Sequence, residues 1–496
     1  MGIIARQSIW NTALLYAGVL IGYVNVVMLF PRILGDEAYG LTRIILSIVF
    51  IGMQFALLGA PSVLMRYFPG FQEGKKPGLI PFALSIMGIG SLLVTAALVL
   101  FKEPIISFKV EDSALLSEYY YLSIPILLSM TFYMFFTALC RVHLVTTLPV
   151  FVYEFLFKFI TAGLLIGTWY FGWSLSFFLG CWTLSYAFNA IVLLMHLIRK
   201  KRFDLRWNPS LGRPFVKESL DFGLFNMMSG ASNSIISNVD ILMIGLLLTT
   251  QSLESAGVYA IMVYIGNTIL MPGKGLGTIA TPLISQFFER NEKQKMQDLY
   301  ERTSLNQTVV SGFIFLALFI NLENMLDVLQ LNNDQAGQVF ILIGLARLAQ
   351  TGTGVNGVII NYSPYYRWTT YFILMLSIVA IISNYLLIPI YGITGAALAS
   401  FISIMGFEFL KWAFVKVKLG LQPFKSSHLK AVLVAALLVL INHYLPRLEG
   451  WLWWDVLYRS AIFASLCLLA LLTTNIAPDL RDVVKRNLAK IGITIP

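Results

Sequence analysis

The chemistry-bearing residues of this 496-residue chain lie inside stretches that are otherwise apolar. Asn226, Gly230, Asn233, Ser237 and Asp240 follow one another at spacings of four, three, four and three, one polar stripe if the segment is helical. Tyr264, Asn267, Met271 and Lys274 share a face of the next stretch, and Arg43, Ser47 and Gln54 share a face of an earlier one. Arg347, followed one turn on by Gln350, falls in a later stretch. A stripe of this kind facing lipid would leave amides and a carboxylate unpaired, so it must face protein or a water-filled cavity. Cations in a low-dielectric cleft bind phosphate strongly. The pattern therefore predicts a binding cleft: Arg43, Lys274 and Arg347 for an anionic group, Asn25, Asn226, Asn233 and Asn267 as further polar lining, and Asp240 as the ligand of a coupling cation, Na+ or H+.

Catalytic constellations are not evident. The histidines His143, His196, His428 and His443 have no metal-ligand spacing. No paired carboxylates or nucleophile elbow stands in a loop. Met271-Pro272-Gly273-Lys274-Gly275-Leu276-Gly277 has the glycines of a phosphate loop, but no strand precedes it and no Ser or Thr follows the lysine, so a kinked helix is expected instead. Cys140, Cys181 and Cys467 all fall within apolar stretches, which suggests neither a disulfide framework nor a metal cluster. The expectation is a protein that is not an enzyme and uses no cofactor or metal.

The elements that hold these residues follow from composition. Hydrophobic residues make up 58% of the chain and charged ones 12%. Runs of about 20 apolar residues, each enough to cross a hydrocarbon core, recur along its whole length. They span 8–30, 41–60, 79–101, 119–140, 149–170, 174–198, 219–248, 255–284, 303–322, 336–357, 368–388, 392–414, 428–445 and 452–475. Their length and continuous apolarity exclude barrel strands. The fold class is an all-α polytopic membrane protein of about fourteen transmembrane helices.

With the N-terminus on the cytoplasmic side, twenty-six lysines and arginines fall in inner segments and four, Arg32, Lys102, Lys109 and Arg447, in outer loops. The positive-inside rule demands such an asymmetry, and it places both termini in the cytoplasm. The net charge of +10 then faces anionic lipid headgroups, and no soluble domain remains that could bind nucleic acid. Glu154 with Lys158, and Glu408 with Lys411, stand one turn apart and are expected to neutralise each other.

A basic connection at 199–218 divides the chain after six helices. Asn11, Gly18 and Asn25 in the first helix match Asn226, Asn233 and Asp240 in the seventh at an offset of 215. The turn Asp36-Glu37-Ala38-Tyr39-Gly40 is matched by Leu253-Glu254-Ser255-Ala256-Gly257. Two pseudo-symmetric six-helix bundles, 1–198 and 219–414, are expected around a central site. Two additional helices at 428–475 and a basic tail at 476–496 would follow.

The chain resembles the polysaccharide transporters, the O-antigen or oligosaccharide flippases, of the superfamily that includes multidrug exporters and lipid II flippases. The resemblance is carried by Pro31-Arg32-Ile33-Leu34-Gly35-Asp36-Glu37-Ala38-Tyr39-Gly40, by Gly59-Ala60-Pro61-Ser62 ahead of Arg66-Tyr67-Phe68, and by Ile388-Pro389-Ile390-Tyr391-Gly392-Ile393-Thr394-Gly395-Ala396-Ala397-Leu398-Ala399. It implies a cleft lined by helices one, two, seven and eight in a bacterial inner-membrane protein. Its partner would be a lipid-linked oligosaccharide of cell-surface polysaccharide or lipopolysaccharide biosynthesis, moved between leaflets by alternating access. Drug exporters usually have twelve helices, and their first-helix carboxylate has no equivalent here. A cation-coupled multidrug or metabolite antiporter on the same scaffold is the alternative.

Overall fold

The computed structural model describes residues 3–73, 77–103, 114–207, 212–331, 333–446, 448, 451–474 and 476–490. Among them the chain is helical and contains no strand, as expected where the backbone must satisfy its own hydrogen bonds. Eleven helices are long and apolar enough to cross a membrane. Against the fourteen expected crossings, the tenth and thirteenth, Ala336–Gly352 and Ser426–Asn442, are shorter, and the eleventh and twelfth are joined in Arg367–Leu419. Two compact units result, Met1–Ile261 and Met262–Pro496. That division lies beyond the basic connection at 199–218, because the seventh spanning helix packs along the second.

In the first unit, α1 (Ile3–Tyr23) passes through a π-helical stretch, Val24–Leu29, into α2 (Phe30–Leu34). Then come α3 (Asp36–Leu57), α4 (Ala60–Glu73), α5 (Leu79–Leu100), the short α6 (Ala114–Tyr119) and α7 (Ser123–Val142). The short α8 (Thr147–Val150) passes through a second π-helical stretch, Phe151–Leu156, into α9 (Phe157–Phe171). The unit continues with α10 (Leu175–Arg199), α11 (Arg213–Leu247) and the start of α12 (Ser252–Gly266). Tyr39, Leu41, Ile44, Ile45, Phe135 and Phe178 are fully buried in its core. Hydroxyls buried in this core donate to their own helices, Thr131 to the Leu127 carbonyl and Thr161 to that of Phe157.

In the second unit, a 3₁₀ turn, Asn267–Leu270, separates α12 from α13 (Met271–Glu289), the break expected near the Pro-Gly segment. It is followed by α14 (Lys293–Ile320), α15 (Leu322–Leu329), α16 (Ala336–Gly352), α17 (Asn356–Tyr362), α18 (Arg367–Leu419), α19 (Ser426–His443), α20 (Leu452–Thr473) and α21 (Pro478–Lys490).

The 53-residue α18 is a helical hairpin. Gly392 (φ 61°, ψ −139°) turns the chain back, and Ser383 and Ser403, twenty residues apart, meet at 3.4 Å. That backbone conformation is essentially reserved to glycine. Gly392→Ala is therefore expected to cost about 1–3 kcal/mol and lower the thermal midpoint of the purified protein. Gly406→Ala in the same element, where an added Cβ meets nothing within 4 Å, should leave it unchanged or raise it.

Candidate functional site

The expected cleft residues fall in both units. In the first, Asn25 lies in the π-helical stretch of the first spanning segment and is 3% exposed. Its Nδ2 donates to the Lys158 carbonyl of α9 at 2.8 Å, and its buried Oδ1 has no partner. Gly18 of α1 packs so closely on the Glu154 carbonyl of the second π-helical stretch that a Cβ there would collide with it. The two wide turns thus hold the first and fifth spanning segments together. The Lys158 and Glu154 side chains pair at 2.8 Å, as their spacing suggests.

Arg43 extends from α3, half-buried, with its guanidinium 4.7 Å from the Tyr39 ring centroid and its Nε buried without a partner. Its charge also acts on Tyr153 and Tyr186 of the same unit. Arg43 is therefore a cation within the first bundle, lying over the face of Tyr39.

The stripe on α11 divides. Asp240 is buried and accepts a 2.6 Å hydrogen bond from the Tyr259 hydroxyl of α12. Asn226 is half-buried, and its Nδ2 donates to the Phe222 carbonyl of its own helix. Asn233 and Ser237, in the middle of the helix, are exposed. The residues that pack α11 against α3 are Gly230 of the stripe and positions just beside it. An added Cβ at Gly245 would meet Ile44, the Ser234 hydroxyl donates to the Phe50 carbonyl at 2.8 Å, and a Cβ at Gly230 would come 2.7 Å from Gln54 Oε1.

Where α3 gives way to α4, a Cβ on Gly59 would strike the Gly223 carbonyl. Arg66, Tyr67 and Phe71 of α4 then meet Phe215, Glu218 and Phe222 of α11. At the other end of the seam the two repeated turns touch each other. A Cβ on Gly40 would collide with the Leu253 carbonyl, and one on Gly257 would come 2.6 Å from the Asp36 carbonyl. Because Asp36 and Gly40 correspond to Leu253 and Gly257 in the repeat, each turn presents the same positions to the other, as an isologous contact does. Asp36 and Glu254 bring two carboxylates to this contact.

In the second unit, Asn267 is half-buried at the start of the 3₁₀ turn, and Arg347 is half-buried on α16 with Nη1 3.2 Å from Gln350 Oε1. The side chain of Lys274, like that of Asn11 in the first unit, lies outside the described residues. Glu408 and Lys411 pair at 2.6 Å, as expected, and Thr353 and Asn356 also donate to Glu408.

A second buried ion pair was not anticipated, although Asp455 and Arg459 stand one turn apart. Asp455 accepts from Arg459 Nε at 2.8 Å, from Asn324 Nδ2 at 2.6 Å and from the Leu448 N–H at 2.9 Å. Arg459 also reaches Asn442 and the Leu445 carbonyl. Elsewhere in the second unit, α14, α16, α19 and α20 line an apolar cavity of about 270 Å³ with Val309, Phe313, Leu316, Leu348, Val434 and Leu471.

Comparison with known proteins places this architecture. A family model described as "Polysaccharide biosynthesis protein" matches residues 4–288. Among curated protein sequences, none matches the chain. In fold, the chain is similar to the lipid II flippase MurJ in an inward closed conformation, with a TM-score of 0.70 at 12% identity over 94% of this chain and 100% of that one. It is similar to a multidrug resistance MATE family transporter of the MOP superfamily in an inward-facing conformation (TM-score 0.62, 14% identity, 84% of this chain and 94% of that one). The Vibrio cholerae MATE transporter VcmN gives 0.56 at 16% identity over 84% and 98%. At these identities the likeness is one of fold.

Proposed function

The chain belongs to the polysaccharide biosynthesis protein family, and from that premise we propose that it is a flippase carrying a polyprenyl-diphosphate-linked oligosaccharide from the cytoplasmic to the outer leaflet by alternating access. In this reading the basic loops and both termini face the cytoplasm of a bacterial inner membrane. The observation that carries it is the exposure of Asn233 and Ser237 halfway along a spanning helix. Polar side chains at that depth require water or polar ligand rather than hydrocarbon, so α11 borders an aqueous path. Glycan hydroxyls are suited to such amide and hydroxyl groups, and Arg43, Lys274 and Arg347 would receive the diphosphate. The apolar cavity among α14, α16, α19 and α20 is suited to part of the polyprenyl tail. Asp240, which already accepts a hydrogen bond from Tyr259, would bind the coupling Na+ or H+.

The test is glycan export in a strain lacking its own flippase. Arg43→Gln, Lys274→Gln and Arg347→Gln should each reduce export by about tenfold or more, the effect of losing one charge-assisted hydrogen bond, and Asp240→Asn should abolish its dependence on the ion gradient. Unchanged export in all four variants would sink the assignment. A second reading, cation-coupled export of a drug or metabolite, is favoured by the buried Asp240 carboxylate. It predicts Asp240-dependent efflux of cationic dyes in cells that synthesise no glycan.

A further inference from the structure

The first unit carries a second basic site, away from the proposed cleft. On the face of the basic loops, a cavity of about 270 Å³ is lined by Phe68 and Phe71 of α4, Pro77, Gly78, Leu79 and Ile80 at the start of α5, His143 after α7, and Lys201, Arg202, Asp204 and Arg206 of the connection after α10. Phe68, Phe71, Leu79 and Ile80 give it an apolar wall, and Lys201, Arg202, Asp204 and Arg206 a charged one.

Three cations face one carboxylate around this space. Asp204 is engaged by Arg206 through Nε at 3.0 Å and Nη2 at 2.7 Å, and these bonds hold its carboxyl below the usual carboxylate range. The lining therefore keeps a net positive charge. The His143 Nε2 is buried with no hydrogen-bond partner, while burial and the neighbouring Arg202 charge push the imidazole below its ordinary range. Phe68 stacks edge-on against the imidazole at 4.9 Å, fixing its plane. The α5 helix begins at Gly78 with no side-chain cap, adding unpaired backbone N–H groups to the rim.

What lies beside the cavity indicates the source of the anion. Residues 202–207 form no helix, and Phe203 packs on Phe136, whereas Leu205 and Trp207 are 55% and 57% exposed. An exposed leucine and tryptophan alternating with Asp204 and Arg206 is the arrangement of a segment lying at a membrane–water boundary, apolar side chains in the acyl region and charges at headgroup depth.

We propose that this cavity binds the phosphate of an anionic phospholipid, with Lys201, Arg202 and Arg206 neutralising it. The site fastens the connection between the two halves of the sequence to the leaflet beneath it. A soluble phosphate has the same head chemistry but no acyl chain for Leu205 and Trp207.

The full-length protein in phosphatidylcholine nanodiscs, titrated with phosphatidylglycerol and read by native mass spectrometry for retained lipid, tests this. The wild-type chain should retain phosphatidylglycerol. Lys201→Gln/Arg202→Gln/Arg206→Gln should weaken retention by about fivefold per cation removed. An equal loss of charge elsewhere, Lys295→Gln/Lys416→Gln/Lys418→Gln, should not. Asp204→Asn, which releases Arg206, should tighten retention, a gain that misfolding cannot imitate and that decides the matter if the triple variant fails to fold. Retention unaffected by the triple variant, equal loss in the control, weaker binding in Asp204→Asn, or displacement of the lipid by millimolar inorganic phosphate would each overturn the proposal.

Discussion

The Gly40→Ala protein is expected to lose transport almost completely while still folding and reaching the membrane. The added methyl would run into the Leu253 carbonyl, a backbone atom that cannot rotate away, at the point where the two repeated turns meet. Overpacking at a rigid contact costs about 3 kcal/mol, which shifts the ratio of closed to parted seam by roughly a hundredfold. Under the alternating access proposed above, that end of the seam closes once in every cycle, so a seam held apart should stop turnover. A readout independent of the substrate is maleimide labelling of a cysteine placed at Ile44, which is 1% exposed in the closed seam. Labelling should rise sharply when Gly40→Ala is added. Gly257→Ala should act in the same direction, since its Cβ would press on the Asp36 carbonyl. Gly163→Ala, with nothing within 4 Å of the new methyl, should not. If Ile44→Cys stays as protected with Gly40→Ala as without it, the seam does not work as described.

Asp455→Asn should give the largest loss of stability. The carboxylate is 1% exposed and Arg459 9%, so the substitution leaves a largely buried guanidinium without its counter-charge. Removing one partner of such a pair costs roughly 3–5 kcal/mol. For a chain of this size that corresponds to a fall in thermal midpoint of about 3–5 °C. Replacing both partners, Asp455→Leu with Arg459→Met, should restore most of the loss, because neither charge then remains to be solvated. A double variant as unstable as the single one would show that packing rather than charge accounts for the effect.

Much of this was legible in the sequence. Hydropathy located the eleven helices of spanning length but not a count of fourteen, and the one-turn spacing of Glu154 with Lys158 and of Glu408 with Lys411 was enough to expect pairs that the structure contains. The division of the α11 stripe was not legible. At about 100° per residue, Gly223, Gly230, Ser234 and Gly245 fall within a window of about 60° on the helix, and Asn226, Asn233, Ser237 and Asp240 in the adjacent one. Periodicity identifies both windows but cannot tell that the first is met by α3, nearly two hundred residues away, or that in the second Asp240 is buried while Asn233 and Ser237 stay exposed. The π-helical stretches at Val24–Leu29 and Phe151–Leu156 likewise left no compositional mark, since each depends on the other segment to fill the widened turn. Glycines were visible at 40 and 257, but their role became clear only when each met its opposite carbonyl.

The hairpin at Gly392 also bears on how the protein is made. Between Arg367 and Glu408 the chain contains no charged residue, and the turn at its tip is built from Ile388, Pro389, Tyr391 and Gly395 around the glycine. Two apolar arms with an uncharged tip can leave the translocation machinery together, the first arm waiting until the second emerges, so that no charge crosses the bilayer at any stage of synthesis. In the proposed orientation the lysines at 411, 416 and 418 then arrive last and stay on the cytoplasmic side, anchoring an orientation that the arms alone do not encode.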